Sequence, residues 1–235
     1  MSKHSRWFVA LVGLYTSQAA LAIDTTLTFD EGTNQVPTLC TPDRTGLGSI
    51  TSCGNGSAIH QSYGDIPGVL DVQYQAPRAS SPSSLSWWDS GYNNLYGVLW
   101  APSSDADSQA RITFIPLAAG SLLTLNSFDL GAWPRTSRGS TVVITEVGTG
   151  DTLFSFTGIV GDGSVSATSF APAVSSRLGL QLTWQDSAYN NGIDNIRLSI
   201  TPVPEASSLA MALAGLGVAS LAGRARRRTG VVVGR

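Results

Sequence analysis

Alternation of apolar and polar residues dominates the middle of the chain and constrains its fold more than any other feature. Residues 177–184 show the pattern most clearly. If this segment is extended, one of its faces carries only large apolar side chains: Leu178, Leu180, Leu182 and Trp184. No stretch between residues 23 and 201 repeats its apolar residues with the 3.6-residue period of an amphipathic helix. The sequence therefore predicts a body made of β-strands.

Short segments of this type recur through the body and are separated by turn signals. Glycine-rich turns at 148–151 and 161–163 are examples, and the first of them predicts a hairpin. The predicted strands lie at 25–29, 68–75, 95–100, 109–115, 121–130, 141–147, 152–156, 165–170, 177–184 and 192–200. Residues 32–57 and 76–84, which are rich in Gly, Pro and Ser, are predicted to be surface loops. Together these features predict an all-β fold over 23–201, an antiparallel β-sandwich of jelly-roll type.

The N-terminus has the three parts of a secretory signal peptide. Lys3, His4 and Arg6 make it basic, an apolar run follows at 7–15, and small residues precede a cleavage point after Ala22. Residues 1–22 are therefore predicted to form a signal helix that is removed on export. The alternative is an N-terminal amphipathic or core helix.

The C-terminus has the features of a segment that stops in a membrane. Seventeen residues without a charge, 207–223, precede a cluster of arginines: Arg224, Arg226, Arg227 and Arg228. Arginines are costly to move through a bilayer and stay on the cytoplasmic side, so the body is expected outside the cytoplasm. As a helix the span would measure about 25 Å, shorter than a typical hydrocarbon core of about 30 Å. This predicts a single transmembrane helix that inserts only marginally, as a temporary anchor does.

The same segment resembles the PEP-CTERM sorting signal of exported bacterial proteins. The resemblance covers residues 203–228 and begins with Val203, Pro204 and Glu205, whereas Ala206 stands where the motif has a second proline. It implies recognition by an exosortase, a membrane protease, after transient membrane insertion, and release to the cell surface or the extracellular space. The chain then divides into a signal peptide (1–22), a body (23–201), a sorting signal (202–228) and a tail (229–235). A plain membrane anchor, or a buried helix, is the alternative.

Charge excludes some partners of the body. Between residues 23 and 204 there are seven arginines, no lysine and fifteen acidic residues, which gives a net charge of −8. Such a domain is expected to be repelled by nucleic acid. This composition suits an exported protein that meets neutral polymers or divalent cations.

The only two cysteines, Cys40 and Cys53, are predicted to form a disulfide. Twelve residues separate them, and an exported protein meets an oxidising environment. Closure of so short a loop stabilises the folded state by about 3 kcal/mol in the chain-entropy description. Zinc is not expected, because it needs four ligands and only His60 lies near.

One motif occurs twice in the body. Residues 88–94 read Trp-Asp-Ser-Gly-Tyr-Asn-Asn, and residues 184–191 repeat this pattern after one inserted glutamine. Both copies can be plain turns, since Asp, Ser and Asn bond to their own backbone. Aromatic rings beside amides and carboxylates also suit sugar binding. On that hypothesis the ligand-binding residues are Trp87, Asp89, Tyr92, Asn93, Tyr189 and Asn190, with Trp88 and Trp100 as further candidate aromatics. Trp88 and Trp184 can equally be core residues.

The body resembles β-sandwich domains that precede PEP-CTERM signals, through residues 127–131 and the Ile-Asp-Asn-Ile strand at 193–196. Jelly-roll domains of this type often hold a structural calcium ion. The resemblance implies oxygen ligands from Asp30, Glu31 and Asp194, a suitable set for calcium. Alternatively, these acids lie at strand ends without a metal.

No catalytic unit is evident. His60 is the single histidine of the body, and no serine lies in a Gly-x-Ser-x-Gly motif. The sequence therefore favours a non-catalytic surface or matrix protein without a cofactor other than calcium, possible ligands being extracellular polysaccharides. A structural surface protein without a ligand and a secreted hydrolase are the alternatives.

Overall fold

A computed structural model describes residues 21–30, 39–50, 53–78, 83–103, 108–163 and 165–202. All of them lie in one compact unit, Leu21–Val203. They contain strands and turns and no helix, so the all-β prediction is confirmed. In this part of the chain no helix is long and apolar enough to cross a membrane. The predicted signal helix and transmembrane helix lie outside the described residues.

Fourteen antiparallel strands form two sheets in the described part of the chain. The strands are β1 Ile23–Leu27, β2 Cys40–Thr41, β3 Ala58–Ile59, β4 Leu70–Gln75, β5 Ser86–Trp88, β6 Val98–Trp100, β7 Gln109–Pro116, β8 Leu122–Ala132, β9 Arg138–Glu146, β10 Thr152–Val160, β11 Thr168–Phe170, β12 Val174–Ser176, β13 Leu180–Gln185 and β14 Asn191–Thr201. The larger sheet has the order β11-β8-β14-β6-β5-β3-β2, with β1 beside β14 and β12 beside β8. The smaller sheet has the order β10-β9-β13-β7-β4.

One core fills the space between the two sheets. The smaller sheet contributes inward-facing residues of alternating strands, such as Phe114, Ile144 and Trp184, and the larger sheet contributes residues such as Phe128 and Ile193. Alternation places every second side chain of a strand on this face, because successive side chains of a strand point to opposite sides. The unit therefore buries a complete core of its own, which is the property that lets a domain fold by itself.

The alternating segment at 177–184 is shorter than predicted. Leu180, Leu182 and Trp184 are buried in β13, as the pattern indicates, but Leu178 is 54 % exposed. The strand begins only at Leu180 because Gly179 has a φ of +117° and turns the chain. The prediction that Leu178 faces the core was wrong for this reason.

The predicted hairpin and the predicted disulfide are both present. Strands β9 and β10 pair antiparallel across the turn at 147–151, where Gly148 and Gly150 have positive φ values. A disulfide joins Cys40 in β2 to Cys53. The region predicted as the loop 32–57 thus contains β2, whose two residues pair with β3. The bridge closes the segment that forms one margin of the larger sheet.

Candidate functional site

The outer face of the larger sheet carries a second, smaller apolar cluster. In β5 and β6, Trp87 and Leu99 point into the core, so Trp88 and Trp100 point outward. The cluster joins Trp100 to Tyr92, Leu95 and Val98, and Trp88 and Ala167 pack against it. Apolar residues that are not needed for the core thus gather on one outer surface.

The two copies of the repeated motif meet at this cluster. The first copy forms the turn after β5, and the second forms the turn between β13 and β14. The hydroxyl of Tyr92 donates a hydrogen bond to the backbone oxygen of Tyr189 at 3.3 Å. Each copy also forms a local turn: Leu95 N, just after the first copy, donates to Tyr92 O, and Asn190 N donates to Ser187 O within the second. The copies are therefore turns, as one interpretation of the motif predicts, and they also meet at one surface; their role in sugar binding stays a prediction.

Between these turns lies an open depression that we call the aromatic cleft. It is lined by Trp88, Tyr92, Trp100, Trp133, Tyr189 and Asn190. Trp100 contacts Trp88 and Tyr189 edge to face, with ring centroids 6.1 and 5.0 Å apart. Trp133 is 38 % exposed and Tyr189 is 40 % exposed, while Trp100 is only 8 % exposed. Two exposed rings thus stand beside a buried aromatic floor.

The cleft is small. Its cavity volume is about 70 Å³, whereas sites that enclose a drug-sized ligand have about 300–1,000 Å³. A site of this size covers one side of a ring and does not enclose a whole molecule.

Glycines and a buried amide hold the floor of the cleft in place. A Cβ atom at Gly131 would collide with the backbone carbonyl of Tyr92, and one at Gly192 would lie 2.9 Å from Tyr92 Cδ1. Asn93, with a φ of +51°, accepts a bond from Ala132 N at 2.6 Å and donates one to Thr136 O at 3.1 Å. Burial raises the pKa of Tyr92, and the nearby Tyr189 raises it further, so Tyr92 stays a neutral hydrogen-bond donor.

Three of the six predicted ligand-binding residues line the aromatic cleft: Tyr92, Tyr189 and Asn190. Trp87 faces the core instead, and its indole N–H donates to Phe29 O at 2.7 Å, so its ring has no face for a ligand. Asp89 lies outside the cleft and exchanges hydrogen bonds with Asn55. Asn93 is buried and has both amide atoms bonded to backbone.

Trp133 is the cleft residue that sequence reasoning missed. It follows β8 directly and precedes Pro134 across a cis peptide bond. Its backbone N–H donates to Asn190 O at 2.8 Å, which ties it to the second copy of the motif. The local signal in the sequence is its position just after the predicted strand 121–130 and before a proline, where a turn is expected. Its proximity to the motif follows only from the pairing of β8 with β14.

A second depression, the polar groove, adjoins the aromatic cleft and has a volume of about 360 Å³. The two share Trp100 and Tyr189 as a common wall. The other lining residues of the groove are Pro42, Asp43, Arg44, Gly56, Ala58, Ser84, Ser86 and Pro102. Trp100 Nε1 is buried and has no hydrogen-bond partner among the described residues. An unpaired buried donor is costly and uncommon in folded proteins.

Three carboxylates gather near the start of the last strand. Desolvation raises the pKa of Asp194 to about 7; hydrogen bonds from the backbone of Phe29 and Asn195 lower it, and Asp30 and Asp129 raise it. Desolvation also raises the pKa of Asp30, and its Oδ1 is buried without a partner in the described part of the chain. Asp129 accepts hydrogen bonds from Ser169 and Asn195. Asp194 therefore gains a proton more readily than an ordinary carboxylate.

The predicted calcium site stays a prediction. Asp30 and Asp194 line the same small depression, but Glu31 lies outside the described residues. Within the described ranges, no group of three or more His, Cys, Asp or Glu side chains is arranged to hold a metal ion. The described residues do not complete a set of calcium ligands.

His60 lies in an exposed turn away from both depressions. Its Nδ1 is 2.7 Å from the hydroxyl of Ser62, two residues along the chain, and it lines neither the aromatic cleft nor the polar groove. This contact is local turn bonding between neighbours in sequence.

Comparison with known families identifies the C-terminal segment. Residues 202–228 match the PEP-CTERM protein-sorting motif. The chain carries a PEP-CTERM sorting motif. The match begins one residue before the resemblance noted in the sequence and ends at the same arginine, Arg228. The PEP-CTERM motif indicates export and membrane-associated sorting to the cell surface or the extracellular space. No curated protein matches the sequence.

Several solved structures share β-rich elements with the body of this chain. One is a GH26-CBM35 β-(1,4)-mannanase from Podospora anserina, with 14 % identity over 58 % of this chain and a TM-score of 0.33; the match spans only 28 % of that enzyme. A CBM4 structure matches 57 % of this chain and 84 % of its own at 16 % identity (TM-score 0.29). A family 29 carbohydrate-binding module from Piromyces equi matches 57 % and 91 % at 16 % identity (TM-score 0.25). Likenesses this distant transfer neither a ligand nor an activity.

Substitution of Gly131 by alanine is expected to disturb the aromatic cleft. The new Cβ meets the backbone carbonyl of Tyr92, which cannot rotate away as a side chain can. We expect a loss of about 1–3 kcal/mol in the free energy of unfolding, the usual cost of overpacking. Chemical denaturation of residues 21–203 measures it. Gly139→Ala is the matched control, because a Cβ there meets nothing within 4 Å. Equal stability of the two variants would contradict the described packing.

Proposed function

We propose that this protein is an exported, non-catalytic polysaccharide-binding protein of the cell surface or extracellular matrix. The sorting motif at residues 202–228 supports export, processing by an exosortase-type membrane protease and retention at the cell exterior. The aromatic cleft supports the binding role, and it is the single observation that carries it: Trp133 and Tyr189 stand exposed beside a floor formed by Trp88 and Trp100. The net charge of the body is −8, which does not favour nucleic acid as a partner.

The chemistry of the cleft fits sugar units better than other ligands. A pyranose ring has apolar C–H faces that pack on aromatic rings and hydroxyls that exchange hydrogen bonds at its edge. Indole and phenol rings supply the first contact here, and the side chain of Asn190 supplies a polar group beside them. An open site of about 70 Å³ leaves both ends of such a ring free to continue as a polymer.

Replacement of Trp133 by alanine is expected to weaken polysaccharide binding at least about tenfold, since exposed aromatic anchors carry much of the energy of a binding site. The measurement is retention of residues 21–203 on a panel of cellulose, β-1,3-glucan, mannan, xylan, alginate and the polymer secreted by the producing cells, followed by calorimetry with the polymer that binds. The free energy of unfolding should fall by less than it does on loss of a fully buried tryptophan, because the Trp133 side chain is 38 % exposed.

Tyr96→Ala is the control variant. Tyr96 is more exposed than Trp133 and lies outside the aromatic cleft, so its loss should leave binding unchanged. Retention on none of these polymers would contradict the proposed function and favour a structural surface protein. The burial of Tyr92 and Trp100 is the observation that favours this second candidate, since both rings already contribute to packing.

Processing at the sorting motif is expected to remove the arginine cluster. Intact-mass analysis of the protein recovered from the cell surface should give a chain that begins at Ile23 and ends near Glu205. The same cells without exosortase activity should retain a longer chain in the membrane fraction. Recovery outside the cell of a chain that still contains Arg224–Arg228 would contradict the proposed route.

A further inference from the structure

We propose that the binding site is bipartite and recognises at least two successive sugar units of a neutral polymer, one in the aromatic cleft and the next in the polar groove. This inference rests on the proposed function and adds the minimum length and the charge of the ligand. The two depressions share a wall, formed by Trp100 and Tyr189, and open on the same face of the larger sheet. A polymer that leaves the aromatic cleft past this wall therefore enters the polar groove.

The floor of the polar groove follows from strand register. Ala58 in β3 lies opposite Ser86 in β5, and Ser86 lies opposite Trp100 in β6. Residues directly opposite each other in an antiparallel pair have side chains on the same face. Two small side chains beside a large ring therefore produce a trough that ends against Trp100. No bulky residue of these three strands fills it.

One side of the trough is a loop held in a fixed shape. The carboxylate of Asp43 accepts hydrogen bonds from Thr45 N at 3.1 Å and Gly46 N at 2.8 Å, and the backbone oxygen of Arg44 accepts one from Ser84 N at 2.7 Å. Slight desolvation acts to raise the pKa of Asp43, but its hydrogen bonds lower it overall, so this carboxylate stays ionised at neutral pH. The loop therefore needs no ordering when a ligand binds.

The charges of the groove point to a neutral ligand. Arg44 is exposed on this loop and offers several N–H donors in a planar fork, which suits neighbouring hydroxyls as well as carboxylates. The ionised Asp43 next to it balances its charge, and the body as a whole is acidic. An acidic polymer would be attracted by Arg44 in the groove but repelled by the acidic remainder of the body. A neutral polymer can accept hydrogen bonds from Arg44 without this repulsion.

Trp100 is the residue that joins the two halves. Its ring forms part of the aromatic cleft, and its Nε1 donor is buried without a partner among the described residues. The ring is also part of the polar groove. The ring itself, and not the buried Nε1, is therefore what a ligand that spans the two depressions would contact.

The test uses oligosaccharides of one to six units prepared from the polymer that the panel identifies. Calorimetry on residues 21–203 is expected to show at least about tenfold higher affinity for the disaccharide than for the monosaccharide. Arg44→Ala should weaken disaccharide binding about fivefold or more, with partial recovery in Arg44→Lys. Arg177→Ala is the matched control, since this exposed arginine lines neither depression.

The outcomes separate the two proposals. If a polymer binds and Trp133→Ala weakens it, but the disaccharide gains nothing over the monosaccharide and Arg44→Ala binds normally, the bipartite site is wrong and the polysaccharide-binding function stands. Preference for alginate over every neutral polymer would overturn the assignment of a neutral ligand. If no polymer binds, both proposals fail. Denaturation of the Arg44 variants checks that the fold is unchanged.

Discussion

Replacement of Trp184 by alanine is expected to lower the free energy of unfolding by about 3–5 kcal/mol, the usual cost of removing a buried tryptophan. The side chain is fully buried in the core between the sheets, and its indole N–H donates to Asn191 O at 2.9 Å. The substitution therefore leaves a large cavity and also an unpaired carbonyl at the end of the second motif copy. Domains of this size are stable by about 5–15 kcal/mol, so much of the margin is lost.

Urea denaturation of residues 21–203 with the disulfide intact measures this effect. Trp184→Phe keeps most of the volume and loses the hydrogen bond, so a smaller decrease of about 1–2 kcal/mol is expected even if the alanine variant does not fold. Trp133→Ala is the matched control, because the same substitution at a tryptophan that is 38 % exposed should cost clearly less stability than the loss of Trp184. A loss below about 1 kcal/mol in Trp184→Ala would contradict the described core.

Stability of the body is expected to fall as the pH rises from about 4 to about 7. Burial raises the pKa of Asp194 from 3.8 to about 7, so the folded chain keeps a proton there that the unfolded chain has already released. The folded state binds more protons between these two values, and its stability must decrease as the pH rises through this window. The total decrease is at most about 4 kcal/mol, because each pKa unit corresponds to about 1.4 kcal/mol. The raised pKa of Asp30 acts in the same direction.

Asp194→Asn is expected to flatten this pH dependence and to stabilise the body above pH 7. Asparagine retains an oxygen that accepts the hydrogen bond from Phe29 N, which is 3.0 Å long in the native chain, and it carries no charge to desolvate. Unfolding curves at pH 4.5, 6 and 8, each with EDTA, provide the measurement. Asp71→Asn is the control, since Asp71 lies on β4 in the other sheet. If the free energy of unfolding of Asp194→Asn changes with pH as steeply as that of the native body, other groups cause the pH dependence.

The same variant also tests the calcium prediction. If calcium binds through Asp30 and Asp194, calcium should raise the melting temperature of the native body above its value in EDTA, and Asp194→Asn should lose this increase. If the melting temperature is the same in calcium and in EDTA, the acidic cluster has only the electrostatic effect described for Asp194.

Features that depend on neighbours in sequence were predictable. The hairpin of β9 and β10, the inward residues of β13 from Leu180 onward, the disulfide of Cys40 with Cys53 and the sorting motif all follow from local order, spacing or composition. Side chains alternate along any strand, and a charge cluster after an apolar span is visible without a fold. The prediction for Leu178 was wrong because Gly179, with its positive φ, moves the start of the strand to Leu180.

The aromatic cleft depended on contacts between distant segments. Alternation predicts that Trp87 and Trp88, which are adjacent, point to opposite faces of a strand. Only the pairing of β5 with β6 and the position of the second sheet decide that Trp87 is the buried one. The pairing of β8 with β14 brings Trp133 to the second motif copy. Sequence alone thus determined an exported all-β chain with a sorting signal, because those properties are local. The tertiary structure decided which rings face solvent and which turns meet, because that depends on how the strands are ordered in the sheets.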